Sequence, residues 1–477
     1  MQKLLKKIDY RHSDLLLLLV IALGFFIYLE ALNLYNVVNP VDSLLPLWLI
    51  SIVFILLIIS FVLYLIFENK YRPIKYNKPF LILLYAVSII GTAAIFIQPE
   101  VITIGIKIQN NVIYRTGEII EVTTNLYLKP KIVFFFGWVA NIIFCFLMIV
   151  IAPHRFKSLT IIKAFAYGLY VVMIASVIYS LIKETNNYGL IFQKLFAPGS
   201  ESSHIEDYGL KSFFNHRNIY GVYIEGTIGA TLICYGISQK KRFLLISILL
   251  YIYLFLTICK TGIIITTAIY FIYLIWLAIR KIRKGSKKGK VLLVSLVSLA
   301  TVIAVTFTIL YSVNEKFRLL LSNYFVNGYT FTSRTYIWQN TLTILSPAWW
   351  LTGRGYGTYN VILHNANIIS STDDTASAHS WIFSALGRAG IVGLIFMTLV
   401  IIVTISLLFR LYKKHNFLVA GLGFSALVFI LHSLLEDNLY LLFIPLAMLL
   451  LINEMDKNKS VTENESKDKK ILYLNIN

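Results

Sequence analysis

The sequence predicts an all-α integral membrane protein with about twelve transmembrane helices and a large ordered extracellular loop between helices 9 and 10. Composition is the first reason: 58% of the 477 residues are hydrophobic and only 14% are charged. The mean hydropathy of +0.75 is far above that of a soluble domain of this length. The second reason is that apolar runs of about 20 residues recur without strand-like alternation, which favours a helical bundle over a β-barrel.

The net charge of +20 has an explanation that does not involve nucleic acid. Most lysines and arginines lie in short loops between apolar runs, which is the pattern of cytoplasmic loops in membrane proteins. This pattern predicts a multi-pass membrane protein with both termini in the cytoplasm. The basic loops are ENKYRPIKYNK, PHRFKSLTIIK, SQKKR, RKIRKGSKKGK and FRLYKK.

We divide the chain into a cytoplasmic amino terminus at 1–13, a membrane domain at 14–453 and a disordered cytoplasmic tail at 454–477. The first apolar run is too long for a signal peptide and is interpreted as a retained helix. The predicted spans are 14–35, 44–67, 79–97, 132–152, 164–183, 218–238, 243–259, 262–280, 290–312, 381–408, 417–434 and 439–453.

Three longer polar segments are predicted outside the membrane. Residues 98–131 have β-branched residues and turn signals and are predicted to contain a small hairpin. Residues 184–217 form a second outer loop. Residues 312–379 form the largest one, whose tryptophans and tyrosines indicate order, with RTYIWQNTLTIL as an interfacial helix. A loop of this length in a compact protein is typically functional, and we interpret it as the catalytic loop.

With this topology, one face of the membrane collects basic side chains from distant parts of the chain. Arginine and lysine would bind and neutralise a pyrophosphate leaving a sugar, and histidine would accept a proton from an attacking hydroxyl. Glu225 lies seven positions after Asn218, on the same helix face. Because it lies inside a span it needs a partner, and a nearby cation is the obvious one. The candidates are His379 and Arg334 as catalytic residues, and Arg217, Asn218, Lys260, Arg354 and Glu225 as substrate-binding residues.

Each candidate also has a structural explanation. Arg217 could anchor a helix start at the interface, and Lys260 could extend from a tight turn towards the interface. Arg334 could satisfy loop carbonyls, while the glycines around Arg354 already explain a turn. His379 competes for the role of base with three other predicted outer histidines, His204, His216 and His364.

No metal or cofactor is predicted. The outer loops contain no Asp-x-Asp or His/Asp cluster, and the three cysteines lie in or beside apolar spans. We interpret Cys145, Cys234 and Cys259 as small buried residues with no disulfide framework.

Five segments together resemble the O-antigen ligase and Wzy-type O-antigen polymerase superfamily: FNHRNIYGVY, LTICKTGII, TSRTYIW, GRGYGTY and AHSWIFSALGRAGIVGL. They are similar to the family's asparagine-centred helix entry, Thr-x-Ser-Arg-Gly segment, arginine-tryptophan segment, Gly-x-Gly turn and His-Asn helix start. The chain departs from this pattern at Cys259 and Lys260, where Ser and Arg are usual, and at Ser380, where Asn is usual. Lysine keeps the charge but loses the fork that binds phosphate in two places.

The resemblance implies a metal-independent glycosyltransferase acting on undecaprenyl-pyrophosphate-linked oligosaccharides at the outer face of the bacterial cytoplasmic membrane. His379 would be the general base, and Arg217, Arg334 and Lys260 would stabilise the leaving pyrophosphate. We expect a polymerase, because many lysines, asparagines and isoleucines are typical of a low-GC genome, which fits a capsule-making Gram-positive source. The alternatives are an O-antigen-ligase-type transfer to another acceptor and a lipid-linked oligosaccharide flippase. The expected partners are this lipid-linked glycan, the bilayer and a chain-length regulator protein.

Overall fold

The structure is a computed structural model, and helices make up most of the chain that it describes. The described residues are 18–21, 101–107, 119–125, 156–195, 208–214, 216–321, 329–355, 359–360, 362–363, 378–437, 439–453 and 455.

Ten helices and one pair of strands are used below. The strands are β1 (Val101–Lys107) and β2 (Ile119–Asn125). The helices are α1 (Ser158–Lys183), α2 (Thr185–Leu195), α3 (Arg217–Ser238), α4 (Lys241–Leu254), α5 (Lys260–Arg283), α6 (Lys287–Val313), α7 (Glu315–Leu321), α8 (Tyr329–Trp349), α9 (Trp381–His432) and α10 (Phe443–Asn453).

Within the described residues, four helices are long and apolar enough to cross a membrane: α1, α5, α6 and α9. The predicted helical membrane protein is therefore confirmed in its class. The count of twelve is not confirmed, because most of the first four predicted spans, at 14–35, 44–67, 79–97 and 132–152, lies outside the described residues.

Helix α3 occupies the centre of the bundle and is buried continuously from Tyr220 to Tyr235. It packs most extensively against α9 and is also in contact with α1, α4 and α5. Small residues permit the close approach of α3 and α9. A Cβ on Gly229 would lie 1.9 Å from Ser425 Oγ, and one on Gly421 would lie 2.8 Å from the backbone nitrogen of Ile233.

The predicted hairpin is confirmed: β1 and β2 are antiparallel, with Val101 opposite Asn125 and Lys107 opposite Ile119. The segment predicted as the second outer loop, 184–217, contains the helix α2, which begins directly after α1, and its position outside the membrane stays a prediction. Predicted spans 10 and 11 follow one another within α9, which is helical through the basic FRLYKK segment. The two parts are separated by non-helical angles at His415.

The RTYIWQNTLTIL segment is helical, as predicted, and forms part of α8. Its interfacial placement and the extracellular position of the 312–379 loop stay predictions.

Candidate functional site

The side chain of Glu436 binds three of its neighbours in space, which come from three different parts of the chain. One carboxylate oxygen, Oε1, accepts from Asn218 Nδ2 and from Arg334 Nη2, each at 3.0 Å. The other oxygen, Oε2, lies 2.9 Å from His379 Nδ1. We name Asn218, Arg334, His379 and Glu436 the carboxylate cluster. Three of its members were predicted as site residues, and the structure brings those three together.

Secondary structure sets the position of each member. Asn218 is the second residue of α3, a helix whose start is capped by His216 Nδ1, which accepts from the Asn218 backbone N–H at 3.1 Å. Arg334 lies on α8, and Glu436 lies in the turn that follows α9. His379 lies just before α9 with a φ of 47°, a left-handed conformation that turns the chain into the helix.

The segment that carries His379 is held by α8. The indole Nε1 of Trp338 donates to the Ala378 carbonyl at 2.9 Å, and its ring stacks on Phe383 with 4.9 Å between centroids. Trp338 thus binds on both sides of His379 along the chain. These contacts fix the position of the histidine backbone relative to Arg334, four residues earlier on the same helix.

Glu436 is ionised in this environment. Burial by itself raises the pKa of its carboxyl, but the charge and hydrogen bond of His379 and the charge of Arg334 outweigh burial and lower the pKa to about 2. A carboxylate can only accept hydrogen bonds, so His379 Nδ1 must be the donor. In the neutral imidazole the lone pair is then on Nε2, which makes Nε2 the nitrogen able to accept a proton.

Exposure decreases from His379 to Glu436. The side chain of His379 is 23% exposed, that of Arg334 12% and that of Glu436 9%. The carboxylate therefore lies behind the histidine and the arginine. A substrate could reach the two predicted catalytic side chains, while Glu436 supports them from within.

The other described candidate base, His216, is a poorer one. The side chain of His216 reaches the surface. Desolvation by the surrounding protein, together with the positive charge of Arg217, nevertheless lowers the pKa of His216 to about 4. Its Nδ1 lone pair also accepts the α3 capping bond. His204 and His364 lie outside the described residues.

Arg217 and Lys260 are both half-buried and are the first residues of α3 and α5. The side chain of Arg217 lies against Gly209, because a Cβ added to this glycine would be 3.2 Å from the Cδ of Arg217. Lys260 follows Cys259, which packs against Gly221 of α3. The predicted contact of both cations with pyrophosphate stays a prediction.

Arg354 is held by other groups. Its Nε donates to the Ile344 carbonyl at 2.9 Å, and its guanidinium lies 4.6 Å from the centroid of the Trp349 ring. Burial lowers the pKa of Arg354 to about 10, so it remains charged at neutral pH. These contacts favour the structural explanation of this arginine over the predicted binding of substrate.

The glycine turn around Arg354 docks on a break in α9. Gly390 has a φ of 64° there, and the backbone N–H of Arg354 donates to the Gly387 carbonyl at 2.7 Å. A Cβ on Gly353 would lie 2.5 Å from the Ala389 nitrogen, and one on Gly390 would lie 2.3 Å from the Leu351 carbonyl oxygen. Two motif segments quoted above, GRGYGTY and AHSWIFSALGRAGIVGL, are therefore in direct contact.

Asp437, the residue after Glu436, connects this break to the carboxylate cluster. Its Oδ2 lies 2.5 Å from Arg388 Nη2, and Arg388 Nε also donates to Asn360 at 3.3 Å. Burial raises the pKa of Asp437, and the charge of Arg388 opposes the rise. Glu436 and Asp437 thus hold two neighbouring parts of the protein from a single turn.

Glu225 has its partner deeper in the bundle. Its Oε2 lies 2.7 Å from Nδ1 of His432, and its Oε1 accepts from Thr266 at 2.9 Å. Both side chains are fully buried. Glu225 therefore has a partner inside the bundle, His432, which was not among the residues selected from the sequence. Its predicted contact with substrate is not supported by this position.

Glu436, Asp437 and His432 were not predicted from the sequence as site residues. A signal was present, because LLEDNLY is an acidic pair between two apolar runs, and ionisable groups in such places are typically functional. Among the described residues, no group of three or more His, Cys, Asp or Glu side chains is arranged to hold a metal ion.

The fold and the carboxylate cluster define a polytopic helical membrane protein with a histidine–carboxylate site at the ends of its helices. Residues 245–398 match the family model Wzy_C, described as O-antigen ligase. The match agrees with the resemblance recognised from the motifs, and the family that it names implies a membrane glycosyl-transferring enzyme of the ligase or polymerase kind. This family acts on lipid-linked glycans in the membrane.

The matched segment begins in α4 and ends in α9. It includes Arg334 and His379, while Asn218 and Glu436 lie on either side of it. Comparison with the curated proteins finds no match.

Proposed function

We propose that the protein is a polysaccharide polymerase that joins undecaprenyl-pyrophosphate-linked oligosaccharide repeat units at the outer face of the bacterial cytoplasmic membrane. The observation that carries the proposal is the carboxylate cluster, in which one buried carboxylate binds both the candidate base and the candidate cation. The family match adds the class of reaction.

In the proposed reaction, His379 Nε2 accepts the proton of an acceptor sugar hydroxyl. The hydroxyl oxygen attacks the anomeric carbon of the donor sugar, and the bond from that carbon to the pyrophosphate oxygen breaks. Glu436 stabilises the resulting imidazolium through Nδ1. The pyrophosphate leaves with the bonding electron pair, and the imidazolium then gives up its proton.

Cations stabilise the negative charge that develops on the leaving group. Arg334 presents five N–H donors, and its contact with Glu436 is made through Nη2. The guanidinium can therefore also bind a phosphate oxygen. Arg217, one residue before Asn218, and Lys260 at the start of α5 would supply further positive charge. Charge stabilisation by such fixed groups is commonly the largest contribution to catalysis.

A polymerase and a ligase use the same chemistry and differ in the acceptor. Purified protein in lipid nanodiscs should therefore be given lipid-linked repeat units as the only substrate. A ladder of lengthening lipid-linked products supports the polymerase. If product forms only after a second acceptor is added, the protein is a ligase, and movement of the lipid-linked glycan without any new bond indicates the flippase.

Arg334→Lys is expected to lower the rate of glycan transfer at least about tenfold, because a point charge cannot bind a carboxylate and a phosphate as the guanidinium fork does. The measurement is product formation per folded molecule in the same nanodisc assay. Arg318→Lys, on the exposed surface of α7, is the matched control and should leave the rate unchanged. A mild effect of Arg334→Lys would show that Arg334 only shapes its surroundings.

A further inference from the structure

A second histidine–carboxylate pair lies within the bundle and takes no part in the proposed reaction. Nδ1 of His432 lies 2.7 Å from Oε2 of Glu225, and the two side chains are 1% and 0% exposed. A buried pair of this kind contributes little to stability compared with well-packed apolar residues, because desolvation offsets the attraction. Its directional hydrogen bonds therefore indicate a role in fixing the relative positions of the helices that they join.

Three helices meet at this pair. Glu225 comes from α3 and His432 is the last residue of α9, while Thr266 of α5 donates to Glu225 Oε1 at 2.9 Å. Gly262 of α5 makes the approach possible. A Cβ at this glycine would lie 2.8 Å from Glu225 Oε1 and 3.3 Å from the His432 ring.

The pair and the carboxylate cluster lie along the same two chain segments. Asn218 precedes Glu225 by seven residues on α3, which is two helical turns or about 10 Å on the same face. Glu436 follows His432 by four residues. Helix α3 and the end of α9 are thus joined at two levels, by Asn218 with Glu436 and by Glu225 with His432.

The backbone transmits the position of His432 to both ends of the cluster. The carbonyl of His432 accepts from the Leu435 N–H at 3.0 Å, within the turn that carries Glu436. The next carbonyl, that of Ser433, accepts from the Trp381 N–H at 2.8 Å, two residues after His379. A shift of His432 along α3 would therefore move Glu436 and the start of α9 together.

We infer that Glu225 and His432 are positioning residues, whose hydrogen bond sets the register of the 433–437 turn against α3 so that Glu436 can orient His379. This inference rests on the proposed function of His379. It assigns no contact with substrate to either residue. Displacement of a catalytic group by about 1 Å can cost about 10²-fold in rate, so a small shift at the pair is enough to slow the reaction.

The test compares two substitutions of Glu225 in the nanodisc assay. Glu225→Leu removes both hydrogen bonds, and kcat per folded molecule should fall about 10- to 100-fold while KM stays within about threefold. Glu225→Gln keeps an oxygen for the His432 Nδ1–H, so kcat should stay within about threefold of the unsubstituted protein. A role in stability alone would lower the folded yield of Glu225→Leu and leave its kcat unchanged.

Two outcomes overturn the inference: unchanged kcat in Glu225→Leu, or an equal loss in the leucine and glutamine variants. If Glu225→Leu does not accumulate, Thr266→Val decides, because it removes one hydrogen bond to Glu225 without leaving a charge unpaired. A kcat reduced at least about threefold at constant KM then supports positioning, and an unchanged kcat overturns it.

His379→Ala is measured in parallel to separate this inference from the proposed function. An inactive His379→Ala with normal kcat in Glu225→Leu overturns the positioning role alone. An active His379→Ala overturns the proposed function.

Discussion

Replacement of His379 by alanine is expected to abolish polymer formation, with a loss of about 10² to 10⁴ in rate. The imidazole is partly exposed, its Nδ1 is bonded to an ionised carboxylate, and its Nε2 carries the lone pair that would accept the hydroxyl proton. Alanine removes the base and leaves the helices intact. The measurement is the rate of ladder formation from lipid-linked repeat units, with folded protein quantified by size-exclusion chromatography.

His216→Ala provides the comparison for this result. His216 interacts with the charges of His379 and Glu436, but it caps α3 and has a pKa lowered to about 4. Loss of a helix cap costs about 1 kcal/mol, so we expect reduced stability and a rate within about tenfold of the unsubstituted protein. If His216→Ala is inactive and His379→Ala active, the assignment of the base is wrong.

Replacement of Glu436 by glutamine is expected to cost nearly as much as removal of the histidine. Asn218 and Arg334 both donate to Oε1, so the amide oxygen of glutamine should take that position and its NH₂ group should face His379 Nδ1. Nδ1 would then have to accept, which places the proton on Nε2 and removes the lone pair that the reaction needs. Enforcing the wrong tautomer in this way costs about 10⁴ in other carboxylate–histidine sites.

Two further variants give this prediction its controls. The double variant His379→Ala with Glu436→Gln should be no slower than His379→Ala alone, since residues that act as a unit are not additive. Asp437→Asn changes the neighbouring acid, whose carboxylate contacts Arg388 and not His379. The rate of this variant per folded molecule should stay within about tenfold of that of the unsubstituted protein. Full activity of Glu436→Gln would mean that His379 does not depend on this carboxylate.

Hydropathy and charge were sufficient to predict the helical membrane class and the start or end of several helices. Helix α3 begins at Arg217, one residue before Asn218, where the sixth span was predicted to begin. The break at His415 falls between the two spans predicted within α9. The sequence was less informative about α2, because a short helix between polar segments has no long apolar run to mark it.

Only part of the candidate site was predicted from the sequence. Arg334, His379 and Asn218 were selected because polar and ionisable residues at the ends of apolar spans are costly unless they have a function. Their shared partner, Glu436, was not selected, because only the packing of α3, α8 and α9 brings these segments to one carboxylate. The pairing of Glu225 with His432, 207 residues later, was equally out of reach.

By itself the sequence determined the membrane class of the protein, its resemblance to a family and the chemical types available for catalysis, since these depend on hydropathy, local motifs and side-chain chemistry. The tertiary structure decided which histidine is bonded to Glu436, which arginine shares that carboxylate, and which arginine is held by a carbonyl and an indole ring. The physical reason is that hydrogen bonds and ion pairs act over a few ångströms. Their partners are therefore chosen by helix packing, which local sequence patterns do not specify.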